Sequence, residues 1–354
     1  MNVCHLGFRS VEFDRNSKVS ELITIKEVSE LAKVSQATVS RAINGHSSVK
    51  EKNRVKVFDA IEQLGYKPNT FAQALASNRS NSIGMLVGSL DGPYFGPLMY
   101  NTENIIREQK LHLIVASGQE SKTKEVDSIE FLSSKKVDGL IIHADKLSDN
   151  ELIKITEDTP ASIILNRNIP ELADHCIWID NELGGYLATK HLIENGHVKV
   201  ACITGQMSKV ESRDRLQGYR NALAEYGIPY DTNLVIEGRF DHEGNHETVH
   251  RLMARDSGFT AIFCQNDNIA LAVYNVASDM KLTVGEDISI VGFDNDTYSQ
   301  HIRPRLTTVS FPIEKMSNDA AHGVIALMND QKYPIAGRLE PKLIVRDSVK
   351  PINP

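Results

Sequence analysis

From Ser82 onward the chain repeats one pattern: a short, continuous apolar run followed by an amphipathic helical stretch. The runs are SIGMLV (82–87), HLIVAS (112–117), GLIIH (139–143), SIILN (162–166), CIWID (176–180), KVACITG (199–205), AIFCQND (261–267) and SIVGFDND (289–296). A strand that is apolar at successive positions, and not only at every second one, is covered on both faces. Such strands separated by helices build parallel sheets. The stretch has room for two of them, which predicts an α/β body of two parallel-sheet lobes with a cleft between.

Ahead of this body the periodicity is helical. Thr24-Ile25-Lys26-Glu27 is a capping box, in which hydroxyl and carboxylate satisfy the helix start reciprocally. Ile25, Val28, Leu31 and Ala32 follow at helical spacing, and Lys33-Val34 makes a short turn. Ser35 is a good N-cap for a second helix, 36–43, which Asn44-Gly45 ends. A third helix is expected to bury Val55, Phe58, Ile61 and Leu64 and to stop at Gly65. Tyr66-Lys67-Pro68 then breaks the chain, Asn69 can cap a short helix over 70–76, and residues 77–81 read as a linker.

The expected organisation is therefore a disordered tail or overlong start (1–21), an all-α helix-turn-helix domain (22–68), a hinge helix and linker (69–80) and a bilobed body (81–354). Within the body, lobe 1 takes about 81–179 and 311–336, and lobe 2 about 180–310 and 337–354.

Charge follows the same division. The net charge is −7, yet residues 24–80 carry nine Lys/Arg against five Asp/Glu, and residues 81–354 sum to −11. A basic head on an acidic body suits a head that meets phosphates. In a helix-turn-helix the first turn of the second helix reaches base edges in the major groove. Here it displays Gln36, Ala37, Thr38, Ser40 and Arg41. Gln can bond adenine in bidentate fashion, Arg guanine, and an Ala methyl can pack on a thymine methyl. Thr38, Ser40 and Asn44 suit phosphates, which position the protein without reading sequence.

The string TIKEVSELAKVSQATVSRAINGHSSV, with VFDAIEQLGYKPNTFAQALASNRSNSIGMLV, resembles the LacI family of bacterial repressors. The resemblance runs on through KHLIENGH, RLQGYRNALAEYGI, QNDNIALAV, ISIVGFDND and RPRLTTVSFPI, and leaves out only the first 21 or so residues. Within the family, RLQGY and RPRLTTV are most similar to galactose and β-glucoside repressors. The resemblance implies a periplasmic-binding-protein-like body. It also implies a homodimer on near-palindromic operator DNA and a hinge helix over 69–77. Leu75, followed by Ala76, would wedge into the minor groove there, bending the duplex at a deformable step.

Read without the family, several strands end in polar residues: Asn166-Arg167, Asp180, Asn266-Asp267 and Asp294. Ligands bind outside the carboxyl ends of parallel strands, and Asn, Asp and Arg near aromatic faces are chemistry for a polyol. Each residue alone serves equally as a helix cap. The resemblance assigns effector contacts to Phe95 in GPYFG, Asn166, Arg167, Arg215 in RDRLQGY, Phe240 in EGRFD, Asn266 and Asp294. Asn166 departs from the commoner Asp, which alters the hydroxyl pattern read there. A small sugar is the expected effector, a purine or corepressor the alternative within the same fold.

His242-Glu243-Gly244-Asn245-His246 fits the H-E-x-x-H zinc-protease pattern, and His250 follows. Gly and Asn are poor residues for a helix interior that must hold two ligands rigidly, so adventitious zinc or nickel is expected here before catalysis. No P-loop, G-x-S-x-G elbow or glycine-rich dinucleotide fingerprint is present. No enzyme activity, metal centre or cofactor is expected. The four cysteines, Cys4, Cys176, Cys202 and Cys264, form no C-x-x-C pair. There is no secretory leader pattern and no apolar run long enough to span a bilayer, which implies a cytoplasmic, nucleoid-associated protein rather than a sugar-transport protein.

Overall fold

The computed structural model describes residues 23–43, 45–66, 79–240, 244–255 and 258–352. The chain divides into two compact units, one up to Asn78 and one from Arg79.

The first unit contains α1 (Ile25–Ala32), α2 (Gln36–Ile43) and α3 (Glu51–Leu64). The Glu27 carboxylate accepts from Thr24 N at 2.6 Å and Thr24 Oγ1 at 3.0 Å, which holds its pKa below the usual carboxylate range. Lys33 closes α1 in the left-handed region (φ 53°), and Ser35 Oγ accepts from Thr38 N at 3.1 Å to start α2. Val28, Ala32, Val39, Ala42, Val49, Val57 and Ala60 make the core.

The expected face of α3 needs correction. Val55 is 51% exposed and Phe58 47%, whereas Val57 and Ala60 are buried, with Ile61 and Leu64 beside them. Steps of three drift around a helix of 3.6 residues per turn, so Val55 and Phe58 rotate off the face that Ile61 and Leu64 share. Small Ala60 lets α3 close on its neighbours. Leu31 of α1 is exposed as well. Asn44, the expected hinge helix and its Leu75 and Ala76 lie outside the described residues.

In the second unit all eight apolar runs form strands: β1 (Ser82–Val87), β2 (His112–Ser117), β3 (Gly139–Ile142), β4 (Ser162–Leu165), β5 (Cys176–Ile179), β6 (Val200–Thr204), β8 (Ala261–Cys264) and β9 (Ser289–Asp294). The sequence did not mark β7 (Val235–Glu237), β10 (Thr307–Ser310), β11 (Arg338–Leu339) or β12 (Lys342–Ile344). The helices between them are α4 (Gly92–Glu108), α5 (Lys122–Ser134), α6 (Asp149–Asp158), α7 (Asn181–Glu194), α8 (Val210–Glu225), α9 (Asn245–Met253), α10 (Asp267–Asp279) and α11 (Ile313–Met328).

Lobe 1 is a parallel sheet in the order β11-β5-β4-β3-β1-β2. Lobe 2 runs β12-β10-β9-β8-β6-β7, parallel except where β12 meets β10. The two lobes thus repeat one strand order, which reverses between β1 and β3 and again between β6 and β8. The chain passes between lobes after β5, after β10 and after β11. Arg338 pairs with Trp178 in the lobe 1 sheet, so the last passage falls beyond Leu339 and not at 337. Two edge residues cannot be told from loop by periodicity. Among the described residues no helix is long and apolar enough to cross a membrane.

One buried carboxylate fixes the loop after β3. Glu125 on α5 is 2% exposed and accepts from the backbone N–H groups of Asp145 (2.9 Å), Lys146 (3.0 and 3.1 Å) and Leu147 (2.9 Å). Gly118 leaves room for it, since a Cβ there would lie 2.4 Å from Glu125 Cγ. Glu125→Ala removes the acceptor from three backbone donors, the buried Leu147 N–H among them. It should lower unfolding free energy by about 3 kcal/mol, read from urea denaturation midpoints.

Candidate functional site

Residues that follow β1, β3 and β4 of lobe 1 face those that follow β8 and β9 of lobe 2 across a cavity of about 250 Å³. These are carboxyl ends beside the points where strand order reverses, the place where open α/β sheets bind ligands.

Arg215 is the most constrained side chain in it. On α7 and α8, Gly185 and Gly218 let the two backbones touch: a Cβ on Gly185 would lie 2.1 Å from Arg215 O, and one on Gly218 2.0 Å from Glu182 O. That contact drives Arg215, 4% exposed, into the cleft. Its Nε donates to Asn181 Oδ1 at 2.9 Å and its Nη1 to Gln265 O. The guanidinium lies 3.7 Å from the Phe293 ring centroid and 3.7 Å from Asp294 Oδ1. Burial pulls its pKa down, and Asp294 is the strongest influence the other way.

Asp294 ends β9 at φ 105°, and Asn166 follows β4 at φ 58°. Both are positive-φ residues without being glycine, a strained arrangement that clusters at ligand sites. Burial pushes the Asp294 carboxyl up to about 8 against the pull of Arg215, with Asp296 and Glu211 adding to the rise. The Asn166 Oδ1 atom is buried and has no hydrogen-bond partner. Buried polar atoms are normally paired, and this one lies on the cavity wall, where a ligand donor fits it.

Two aromatic rings close the cavity from opposite lobes. Phe95 packs edge-on to Tyr94 (4.9 Å) and His143 (5.1 Å) above Gly88, where a Cβ would lie 2.8 Å from the ring. Phe240 covers Gly205, where a Cβ would lie 2.3 Å from its ring. Asn266 is committed elsewhere. Its Oδ1 accepts from Ile269 N, capping α10, and its Nδ2 donates to Phe240 O, each at 2.9 Å. Asn266 lines the cavity but acts first as a cap and as a tether of Phe240.

Three residues expected at strand ends are placed elsewhere. Arg167 is absent from the cavity wall: its guanidinium donates to Leu147 O and pairs with Asp149 at 3.3 Å. Its neighbour Asn166, in the left-handed region past the end of β4, lines the cavity instead. Asp180 caps α7 through Leu183 N at 2.9 Å and pairs with Arg338. Asp267 is wholly buried and accepts from Thr308 Oγ1 (2.7 Å) and Asp296 N (2.8 Å).

Sequence reasoning missed the polar wall around Lys209. Lys209, just before α8, reaches Glu120 at 2.6 Å and Asp145 at 3.1 Å, so a lobe 2 cation binds two lobe 1 carboxylates. Burial opposes charge on both partners, yet Asp145 is held below its ordinary range by His143 and then Lys209, and Lys209 above its own chiefly by Asp145. Glu211, one turn before Arg215, also lines the cavity. The spacing Glu211-x-x-x-Arg215 on one helix face was the available signal.

In the first unit, Gln36, Ala37 and Arg41 are exposed on α2, while Thr38 and Ser40 are half-buried. Thr38 Oγ1 lies 2.9 Å from Ser35 Oγ.

The family model "Bacterial regulatory proteins, lacI family" matches residues 24–69, and "Periplasmic binding protein-like domain" matches 189–349. The HTH-type transcriptional regulator GalR of Escherichia coli (strain K12) is 36% identical over 329 residues, 93% of this chain and 96% of the relative. The chain belongs to the LacI family. The HTH-type transcriptional repressor PurR of Aliivibrio salmonicida is 34% identical, over 93% of this chain and 99% of that protein. Among solved LacI-family structures, the lac repressor dimer bound to operator and the anti-inducer ONPF superposes with a TM-score of 0.82 at 26% identity, covering 93% of this chain and 99% of that one. The transcriptional regulator CelR–cellobiose complex superposes at 0.67 with 29% identity, covering 92% and 99%. Membership makes this chain a DNA-binding transcription regulator, with a helix-turn-helix head and two parallel-sheet lobes.

The raised Asp294 pKa gives a pH prediction. The fold disfavours the ionised form, so this stability is present at low pH and is lost as pH rises from the ordinary carboxylate range through about 8. In the ligand-free protein Asp294→Asn should lose less stability than the parent between about pH 5 and about pH 8, read as the difference between their thermal melting curves.

Proposed function

We propose that this regulator is a cytoplasmic repressor of carbohydrate-use genes that binds a palindromic operator as a homodimer and is released by a monosaccharide or small glycoside. The observation that carries the effector class is the cavity itself. It sets two aromatic faces, from Phe95 and Phe240, against a buried Arg215–Asp294 pair and the unpartnered Asn166 Oδ1. Ring faces pack the C–H surface of a sugar, the Asp294 carboxyl exchanges hydrogen bonds with its hydroxyls in either protonation state, and the guanidinium donates. CelR, named above, is solved in complex with cellobiose, which supports the same reading.

In this reading Gln36, Ala37 and Arg41 read bases, Thr38, Ser40 and Asn44 hold phosphates, and Leu75 with Ala76 wedges the operator centre. Effector and DNA oppose each other through one coupling free energy, typically ~1–3 kcal/mol. A purine effector is the second reading, favoured by the PurR relatives and by two aromatic faces that suit a flat base as well.

A thermal-shift panel of sugars, glycosides and purines on the full chain tests this, because a ligand of the folded state raises the melting temperature. A sugar hit that Arg215→Ala abolishes supports the proposal, and a purine hit with no sugar hit replaces it by the second reading. In mobility shifts, Arg41→Ala should erase the preference for operator over scrambled DNA while the ligand's thermal shift stays intact.

A further inference from the structure

We propose that His246, His250 and Asp279 form a binding site for a first-row transition-metal dication that joins α9 to α10. His246 and His250 lie one turn apart on the same face of α9, with ring centroids 4.7 Å apart. Asp279 is the last residue of α10, and its Oδ2 lies 3.4 Å from His246 Nε2. One donor atom from each of the three lies within 4.8 Å of the others. Donors around a tetrahedral ion with metal–nitrogen bonds near 2.1 Å sit about 3.4 Å apart. All three side chains are exposed, so the remaining distance is closed by side-chain rotation without repacking the core.

The donor set selects the ion. Two imidazoles and one carboxylate suit zinc, nickel, cobalt or copper, whereas magnesium and calcium want oxygen alone. Exposure leaves the other coordination positions to water, so no uncompensated charge is buried. This site is not the H-E-x-x-H pattern of the sequence. His242 and Glu243 lie outside the described residues, and the pair on α9 is the last histidine of that pattern and His250 one turn later.

The two helices so joined hold adjacent residues at one cleft wall, α9 holding Arg239 and α10 Phe240. At the start of α9 the Asn245 amide brackets Arg239, accepting from its N at 2.9 Å and donating to its O at 2.8 Å. At the start of α10, Asn266 and Asn268 each donate to Phe240 O at 2.9 Å. An ion bridging α9 and α10 therefore stiffens the frame of one cleft wall. That consequence rests on the effector reading; the metal site does not.

The test is titration of the untagged full-length protein with Co²⁺ and Zn²⁺, followed by visible absorption and calorimetry. One equivalent should bind, with cobalt bands that zinc displaces and a rise in melting temperature. His250→Ala and Asp279→Asn should each weaken binding by at least about tenfold, since losing a ligand costs no less than losing a residue that only orients one. His301→Ala, remote from the cluster, should bind as the parent does. No binding, or binding unchanged in both variants, overturns the proposal. So does loss of binding on His242→Ala with His250→Ala and Asp279→Asn unaffected, which would place the ion on the sequence pattern instead. None of these readouts depends on which effector fills the cleft.

Discussion

The cleft depends on keeping a guanidinium in a nearly dry place. A buried cation is costly unless its hydrogens are met and its charge is balanced. Arg215 donates to Asn181 and to the Gln265 carbonyl, stacks over Phe293, and lies 3.7 Å from Asp294, whose carboxyl can balance the charge only when it ionises. Lysine, a point charge without a planar face, could not stack and bond in three directions at once. The partners come from α7, β8 and β9, so one side chain registers three elements of lobe 2. The glycine contact between α7 and α8 is what delivers it there, which makes two missing side chains as necessary as the arginine.

Closure between lobes has a different physical character. Lys209 reaches across to Glu120 and Asp145, and in the proposed reading the lobes exchange between open and closed forms about the three connecting passages. A ligand shifts such an equilibrium only by its differential affinity for closed and open forms. A molecule that touches both Asn166 on one side and Arg215 on the other has that property by construction. The interlobe ion pair then biases the same motion before any ligand arrives.

Much of this was legible in the sequence, for identifiable reasons. Continuous apolar runs were legible as strands, and both sheets follow from them, although β2, at a sheet edge, is half-buried rather than covered. The short edge strands β7, β11 and β12 were not legible, since two or three residues carry no period. On α3 a spacing of three misassigned Val55 and Phe58, because apolar residues there also occupy the exposed side. At the site, Phe95, Asn166, Arg215, Phe240, Asn266 and Asp294 line one cavity. Arg167 and Asp180 do not, because a polar residue after a strand either enters the cleft or serves a neighbouring helix, and sequence alone does not say which. Lys209 escaped notice because its partners lie 64 and 89 residues away in the other lobe.

Gly88 and Gly205 occupy matching places, each just past the first strand of its lobe, and each carries an aromatic ring where a Cβ would be. The duplicated strand order thus presents two mirrored seats, one per lobe. The height of each ring above its seat sets the gap between them. Ligand choice in such a protein can therefore drift without any change in the hydrogen-bonding residues. A methyl group gained at either seat would lift a ring, narrow the gap and select a thinner molecule, so that chain positions touching no ligand still write its shape.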